Sequence, residues 1–309
     1  MKIFYILFSL LLLTTVGAKA QDEAIFSHYL FNPTIINPGA TGFSETHQIW
    51  GHYRNAWTGF TDQPRTFIVS YNGALSNNLG LGAMVFSENI AQLNRLRGQL
   101  SYAFRYKLGD NFKLGIGLST QIQQLRLVTQ ADNTLVNFND NVLARAMDGR
   151  RTFDASLGFF GSYKEKLYFG VSLPGLISAR LDKVTGTSSQ SFFATFQALA
   201  GYKIKAGDIM VEPTLMVGQI QNAPFQADIS LRASFLEEIF MAGVIYKAYD
   251  KGTFGLLLGT KFNGIRINYS YDYSFQRFQN FNSGGHEITL GYEFQRTERK
   301  IDREKKYRN

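Results

Sequence analysis

The feature that most constrains this chain is a two-residue alternation of apolar and polar side chains, repeated along most of its length. From Phe225, one face reads Phe225, Ala227, Ile229, Leu231, Ala233 and Phe235, and the other Gln226, Asp228, Ser230, Arg232 and Ser234. From Ile265 the same rule sorts Ile265, Ile267, Tyr269, Tyr271 and Tyr273 from Arg266, Asn268, Ser270 and Asp272. A strand keeps such residues on opposite faces, and a helix would scramble them. About fourteen such segments follow one another, most of them long enough to cross a bilayer at a tilt. They include strands expected near 78–89, 96–107 and 191–205. A short helix is expected within 128–148.

The connections separate a soluble sandwich from a membrane barrel. Links after even-numbered strands are short, as at Leu75-Ser76-Asn77, Gly109-Asp110, Lys164-Glu165-Lys166 and Asn263-Gly264. Links after odd-numbered strands include the long ones, 127–151, 175–190 and 274–285. Outer-membrane barrels are built this way, with tight turns in the periplasm and longer loops outside. The expected fold is all-β: a transmembrane antiparallel up-and-down barrel over 47–295. An even strand count places both termini in the periplasm.

Before the barrel, Lys2, the apolar run Ile3–Leu13 and Ala18-Lys19-Ala20 read as a secretory signal peptide over 1–20, cleaved after Ala20. After it, 296–309 holds Arg296, Arg299, Lys300, Arg303, Lys305, Lys306 and Arg308 against Glu298, Asp302 and Glu304. That is four of the chain's net +8 charges in one tail. Such basicity is not the stripe a nucleic-acid groove needs. A flexible tail of cations instead reads either as a solvated chain end or as a periplasmic electrostatic tether to an acidic partner.

The face opposite the aliphatic one mixes small polar residues with charges of both signs. Arg97, Arg105, Lys107, Lys113, Lys203, Arg232, Lys247, Lys261 and Arg266 share it with Asp154, Glu212, Asp228, Asp272 and Glu293. Lone charges inside a barrel are costly, so a paired network is expected there. Gly80-x-Gly82 and Gly115-x-Gly117 read as small lumen-facing positions rather than phosphate loops.

Chemistry-bearing patterns are sparse. With no cysteine, thiol nucleophiles and thiolate zinc sites are excluded. His47 and His52 are five residues apart and face opposite sides of a strand, so they share no metal. No His/Asp/Ser cluster suggests a rim hydrolase. The expectation is no enzyme, no catalytic or metal residues and no cofactor.

Two segments look less like generic barrel. The first, within an N-terminal periplasmic or plug segment over 21–46, contains Phe31-Asn32-Pro33 and Asn37-Pro38. Each Asn-Pro step favours extended-to-turn geometry, which pins an apolar, non-strand segment. Phe31 and Ile35 are expected to be buried against inner-face residues at the periplasmic end. The second block is Tyr53-Arg54-x-x-Trp57-x-Gly59-Phe60-x-x-x-Pro64-Arg65-Thr66.

Together the two blocks resemble the PorP/SprF family of Bacteroidetes outer-membrane proteins of the type IX secretion system. Where that family usually has Ala-Tyr-Ala-Gly after the second Asn-Pro, this chain has Gly39-Ala40-Thr41-Gly42. The resemblance implies an outer-membrane component of type IX secretion and gliding motility. It implies partners too: a large secreted, adhesin-like surface protein held through its C-terminal signal domain, and a periplasmic ring lipoprotein or peptidoglycan-binding protein. A barrel of this size is too narrow to pass a folded adhesin, so docking at its rim is favoured over conduction. The rival reading is a porin-like channel for small solutes.

Overall fold

The computed structural model describes residues 26–128, 149–177, 179–180, 195–219, 225–249 and 251–295. The expected signal peptide, the basic tail and the expected helix within 128–148 lie outside these residues, apart from Val128 at that span's edge.

The strands are β1 His47–Asn55, β2 Arg65–Ala74, β3 Leu79–Ile90, β4 Leu93–Leu108, β5 Phe112–Leu127, β6 Arg150–Tyr163, β7 Leu167–Leu173 and the two-residue β8 Ala179–Arg180. They continue as β9 Phe196–Tyr202, β10 Ile204–Ala206, β11 Ile209–Gln219, β12 Gln226–Phe235, β13 Phe240–Lys247, β14 Thr253–Phe262, β15 Ile265–Ser274 and β16 Gly285–Phe294. All described pairings are antiparallel, mostly between sequence neighbours, with β8 appended to β6. β9 pairs with both β7 and β11, and β10 continues its line along β11 past Lys203. The last strand returns to the first, His47 opposite Phe294 and Asn55 opposite His286. Counting β9 and β10 as one stave, the wall is a closed barrel of fourteen strands, which removes every sheet edge from the apolar phase.

The alternation sorts the residues as the sequence required, with the polar set inside. Along β12, Asp228, Ser230 and Arg232 are buried while Ile229 and Leu231 are exposed; along β15, Asn268, Ser270 and Asp272 are buried while Ile265 and Ile267 are exposed. This is the inverse of a soluble sandwich, and it fits a lipid-facing exterior. Aromatic side chains ring the outer surface near both ends: Tyr106, Tyr163, Tyr202, Phe262 and Tyr292 on one side, Tyr53, Phe67, Phe254 and Tyr273 on the other.

The short links share one end, here the turn side. Asn263 and Gly264 adopt φ of 48° and 80°, the double left-handed geometry that a two-residue hairpin needs to match strand twist. The opposite, loop side is uneven. β3 and β4 run on to a two-residue turn at Ala91-Gln92, so the wall from β3 to β6 is taller than sequence alternation indicated.

Candidate functional site

A fourteen-stave barrel encloses more space than its own inward side chains fill. Residues 26–46 occupy it from end to end. Near the loop side, the backbone N–H groups of Ser27 and His28 donate to the two carboxylate oxygens of Glu287, each at 3.1 Å. Ser27 Oγ donates to Asp272 Oδ1 at 3.4 Å. Glu287 is the third residue of β16 and Asp272 the third from the end of β15, which fixes the height of this contact. At the turn side, the Gly42 N–H donates to Asn72 Oδ1 at 2.5 Å, and the Gly42 carbonyl accepts from Arg105 Nη1. Thr46 Oγ1 then donates to Glu293 at 2.9 Å, just before β1 begins.

Three single 3-10 turns, His28–Leu30, Pro33–Ile35 and Pro38–Ala40, carry the chain between these points. Each Asn-Pro step does two jobs. The proline opens a turn where its missing N–H costs nothing, and the asparagine binds the wall. Asn32 Nδ2 donates to Ser70 Oγ at 3.1 Å. Asn37 Nδ2 donates to the Phe159 carbonyl at 2.9 Å while its Oδ1 accepts the Gly39 N–H at 2.8 Å. The wall yields space with glycine. A Cβ at Gly80, Gly115 or Gly117 would meet backbone atoms of Thr41, Gly39 or Pro38, and one at Gly158 would meet Asn37 Oδ1. Both glycine pairs singled out in the sequence therefore lie under the segment.

Apolar contacts complete the fit. Phe26 packs edge-on against Phe86 with Ile68 and Met84, while Tyr29, Leu30 and Ala40 join Phe160, Leu199, Met216, Ile245 and Leu257. The anchors are thus Phe26, Tyr29 and Leu30. Phe31 and Ile35, expected to be buried, are only half-buried: Phe31 lies edge-on to His28 and under the Arg232 guanidinium, and Ile35 flanks the Phe26 cluster. The segment does not merely cover one end of the barrel; it threads the interior, and the described chain begins inside it, close to the loop side.

Several of the interior charges are paired, while Arg105 donates to the Gly42 and Ser76 carbonyls. Asp272 accepts from Arg54 at 3.0 Å and from Lys247 at 2.9 Å, and Arg54 also reaches Glu287 at 3.1 Å. Arg232 pairs with Glu212 and donates to the Leu30 carbonyl at 3.0 Å. Tyr29 donates to Asp228 at 3.1 Å, and Arg266 pairs with Glu293 at 2.9 Å. Lys107 and Lys113 pair with Glu45 at the turn-side rim, and hydrogen bonding to Lys107 holds that carboxyl below the usual carboxylate range.

The second sequence block is divided by the fold. Tyr53 faces outward, Arg54 enters the carboxylate cluster, and Thr66 donates to Glu88 inside the wall. Trp57, Gly59, Phe60 and Pro64 form the loop between β1 and β2. That loop is tied to the loop before β16 through Thr58, whose N–H donates to the Gly284 carbonyl and whose carbonyl accepts from Ser283. Arg65 lies exposed at the rim. The two blocks meet at one point: Arg54 of the second and Ser27 and His28, just before the Asn-Pro steps, share Asp272 and Glu287. Sequence reasoning missed Glu287 and Glu88, although both stand on the inward parity of their strands.

A family model described as the type IX secretion system membrane protein PorP/SprF matches residues 18–292. The chain belongs to that family. It is accordingly an outer-membrane β-barrel of the type IX secretion system. In fold it is similar to the CymD monoaromatic hydrocarbon channel (14% identity, 88% of this chain and 94% of that one, TM-score 0.53). It is also similar to the toluene transporter TodX of P. putida (10% identity, 86% and 95%, TM-score 0.46) and to the outer membrane protein Omp33 of Acinetobacter baumannii (8% identity, 82% and 98%, TM-score 0.45). At these identities the likeness concerns the barrel alone. No curated protein matches the sequence.

Proposed function

We propose that this PorP/SprF barrel is a non-enzymatic anchor whose interior is held shut by its own N-terminal segment. In this reading it docks a secreted cell-surface protein, through that protein's C-terminal signal domain, at the barrel rim. On the turn side, taken as periplasmic, it links to a ring lipoprotein or peptidoglycan-binding protein, with the basic residues Arg296 to Arg308 as tether. The observation that carries the reading is the occupied lumen: residues 26–46 bond to the wall from Glu287 near one end to Glu293 at the other.

The test has two arms on the full chain. Co-purification from membranes at low salt should retain a large surface protein and a periplasmic partner, while planar-bilayer recordings should show no porin-sized conductance steps. Porin-sized steps from the intact chain, with no protein partner retained, would replace this reading with the small-solute channel.

A further inference from the structure

Above the lipid-facing surface of the tall wall lies a polar shelf that neither the plug nor the interior network uses. Strand register defines it. Arg65 of β2 stands opposite Asn89 of β3, Asn89 opposite Asn94 of β4, and Asn94 opposite Arg126 of β5. All four are on the outward parity of their strands, since their sequence neighbours Thr66, Glu88 and Arg95 are buried inside. They form one row across four strands, arginine at each end and carboxamides between.

The next row down on the same outward face is mixed, Phe67, Ser87, Leu96 and Gln124, and the row below that, Val69, Val85, Gly98 and Ile122, is apolar or small. Phe67, Val85, Leu96 and Ile122 are 51%, 55%, 47% and 56% exposed. The shelf therefore stands one mixed row above the continuous acyl-chain surface on the loop side.

The shelf also has a preformed recess of about 340 Å³, lined by Asp62, Arg65, Asn89, Gln92 and Asn94 among others. Backbone hydrogen bonds hold its rim. The Asp62 carbonyl accepts from the Ala91 N–H at 3.1 Å, and the Gln92 carbonyl from the Val128 N–H at 2.7 Å, joining three hairpin ends. Asp62 and Ala91 both sit in left-handed conformations, with φ of 59° and 49°, which L side chains adopt at a cost. Asn94 Nδ2 donates to Asn89 Oδ1 at 2.5 Å, which leaves the remaining amide groups to face outward.

We propose that this recess binds the phosphorylated saccharide headgroup of an outer-leaflet glycolipid, whose acyl chains lie on the face of Phe67, Val85, Leu96 and Ile122. The inference rests on the outer-membrane placement and on the loop side facing the cell exterior, not on the anchor reading. The chemistry matches at each level. Arg65 in the recess and Arg126 beside it at the end of the row supply forked donors for phosphate, and the carboxamides with Asp62 supply donors and acceptors for hydroxyls. The apolar face below supplies the surface for the chains. A free sugar phosphate would satisfy the upper half only. A protein partner would leave the continuity with the apolar face without use.

The experiment uses the full chain, purified in detergent and checked for a closed barrel by its faster migration when unheated. Binding of diphosphoryl lipid A is measured by native mass spectrometry and by thermal melting, beside phosphatidylethanolamine and inorganic phosphate. The expected result is preferential retention of lipid A, with inorganic phosphate a weak competitor. Arg65→Gln with Arg126→Gln should weaken it roughly tenfold, and Lys251→Gln, on a different loop, should leave it unchanged. Should the double variant not close, Asn94→Ala alone is expected to weaken retention several-fold. The inference is overturned if the wild-type chain prefers lipid A no more than phosphatidylethanolamine, if closed variants keep wild-type retention, or if inorganic phosphate competes as well as the lipid. Partner co-purification is unaffected in each case, so failure here stays separate from failure of the anchor reading.

Discussion

At the scale of single residues, the interior works by close approach and by shared charge. Gly117 sits where a Cβ would meet the Pro38 carbonyl, whereas Gly98, facing out on β4, has nothing within 4 Å. Valine at Gly117 overpacks the contact between wall and plug and should cost about 1–3 kcal/mol. Gly98→Val adds a lipid-facing methyl surface and should be close to neutral. Guanidinium unfolding of the two variants, with protease sensitivity of residues 26–46 as a second readout, checks the pair. Equal behaviour would mean that the segment does not press on the wall at Gly117. Arg54 poses the electrostatic version of the same question. Its loss leaves Asp272 and Glu287 with Lys247, His28, the Ser27 hydroxyl and the plug's N–H groups. Breaking a buried pair strands the remaining charge, so Arg54→Ala should destabilise by about 3 kcal/mol. The exposed Arg65→Ala, from the same sequence block, should cost less than about 1 kcal/mol.

At the scale of elements, the plug and the wall are separable. Every pairing that closes the barrel, His47–Phe294 to Asn55–His286 included, lies outside residues 26–42. Deleting 26–42 should therefore leave a closed barrel that still migrates faster unheated. Ile68, Ile245 and Leu257 would lose their plug contacts and face a wet lumen, so the transition to the slow form should move to lower temperature. The same deletion should introduce conductance steps absent from the intact chain. An unplugged barrel that stays silent in planar bilayers would show that the wall's own side chains block the path.

How much of this the sequence could tell depends on the element. Strands such as β12 and β15 were legible because one face meets lipid and the other a polar interior, which forces alternation. The tops of β3 and β4 were not. There Glu88, Arg95 and Arg97 point inward while Asn89 and Asn94 point outward, so both faces are polar and the period disappears above the lipid. The N-terminal segment was legible as pinned and apolar from its two Asn-Pro steps. Its height was not, because nothing local tells Asn37 that its partner is the carbonyl of Phe159. That partner is more than a hundred residues away and is fixed only by barrel closure. The Arg54 cluster was half visible for the same reason: Asp272 announced itself by parity, whereas Glu287 stood at the edge of the expected strand.

At the scale of the whole molecule, the proposed periplasmic link can be tested apart from the barrel. The wall ends at Phe294, paired with His47, and the basic run from Arg296 to Arg308 begins one residue beyond Gln295. The closing strand is thus complete without the tail, and a stop after Gln295 tests the tail alone. The truncated chain should insert and close like the full one, because no described pairing uses a residue past Phe294. What should change is association. Exposed ion pairs are individually weak, but under the proposed tether seven cations on one short segment would act on an acidic partner together, within a Debye length of about 10 Å at 0.1 M salt. Co-purification of the periplasmic partner should accordingly fall with truncation at low salt, and the full chain should lose the same partner as salt rises toward 1 M. Retention of that partner by the truncated chain at low salt would assign the link to the turn-side rim instead, where Lys164, Lys166, Lys203 and Lys205 lie on adjoining hairpins joined by the hydrogen bond from the Lys203 N–H to the Lys166 carbonyl.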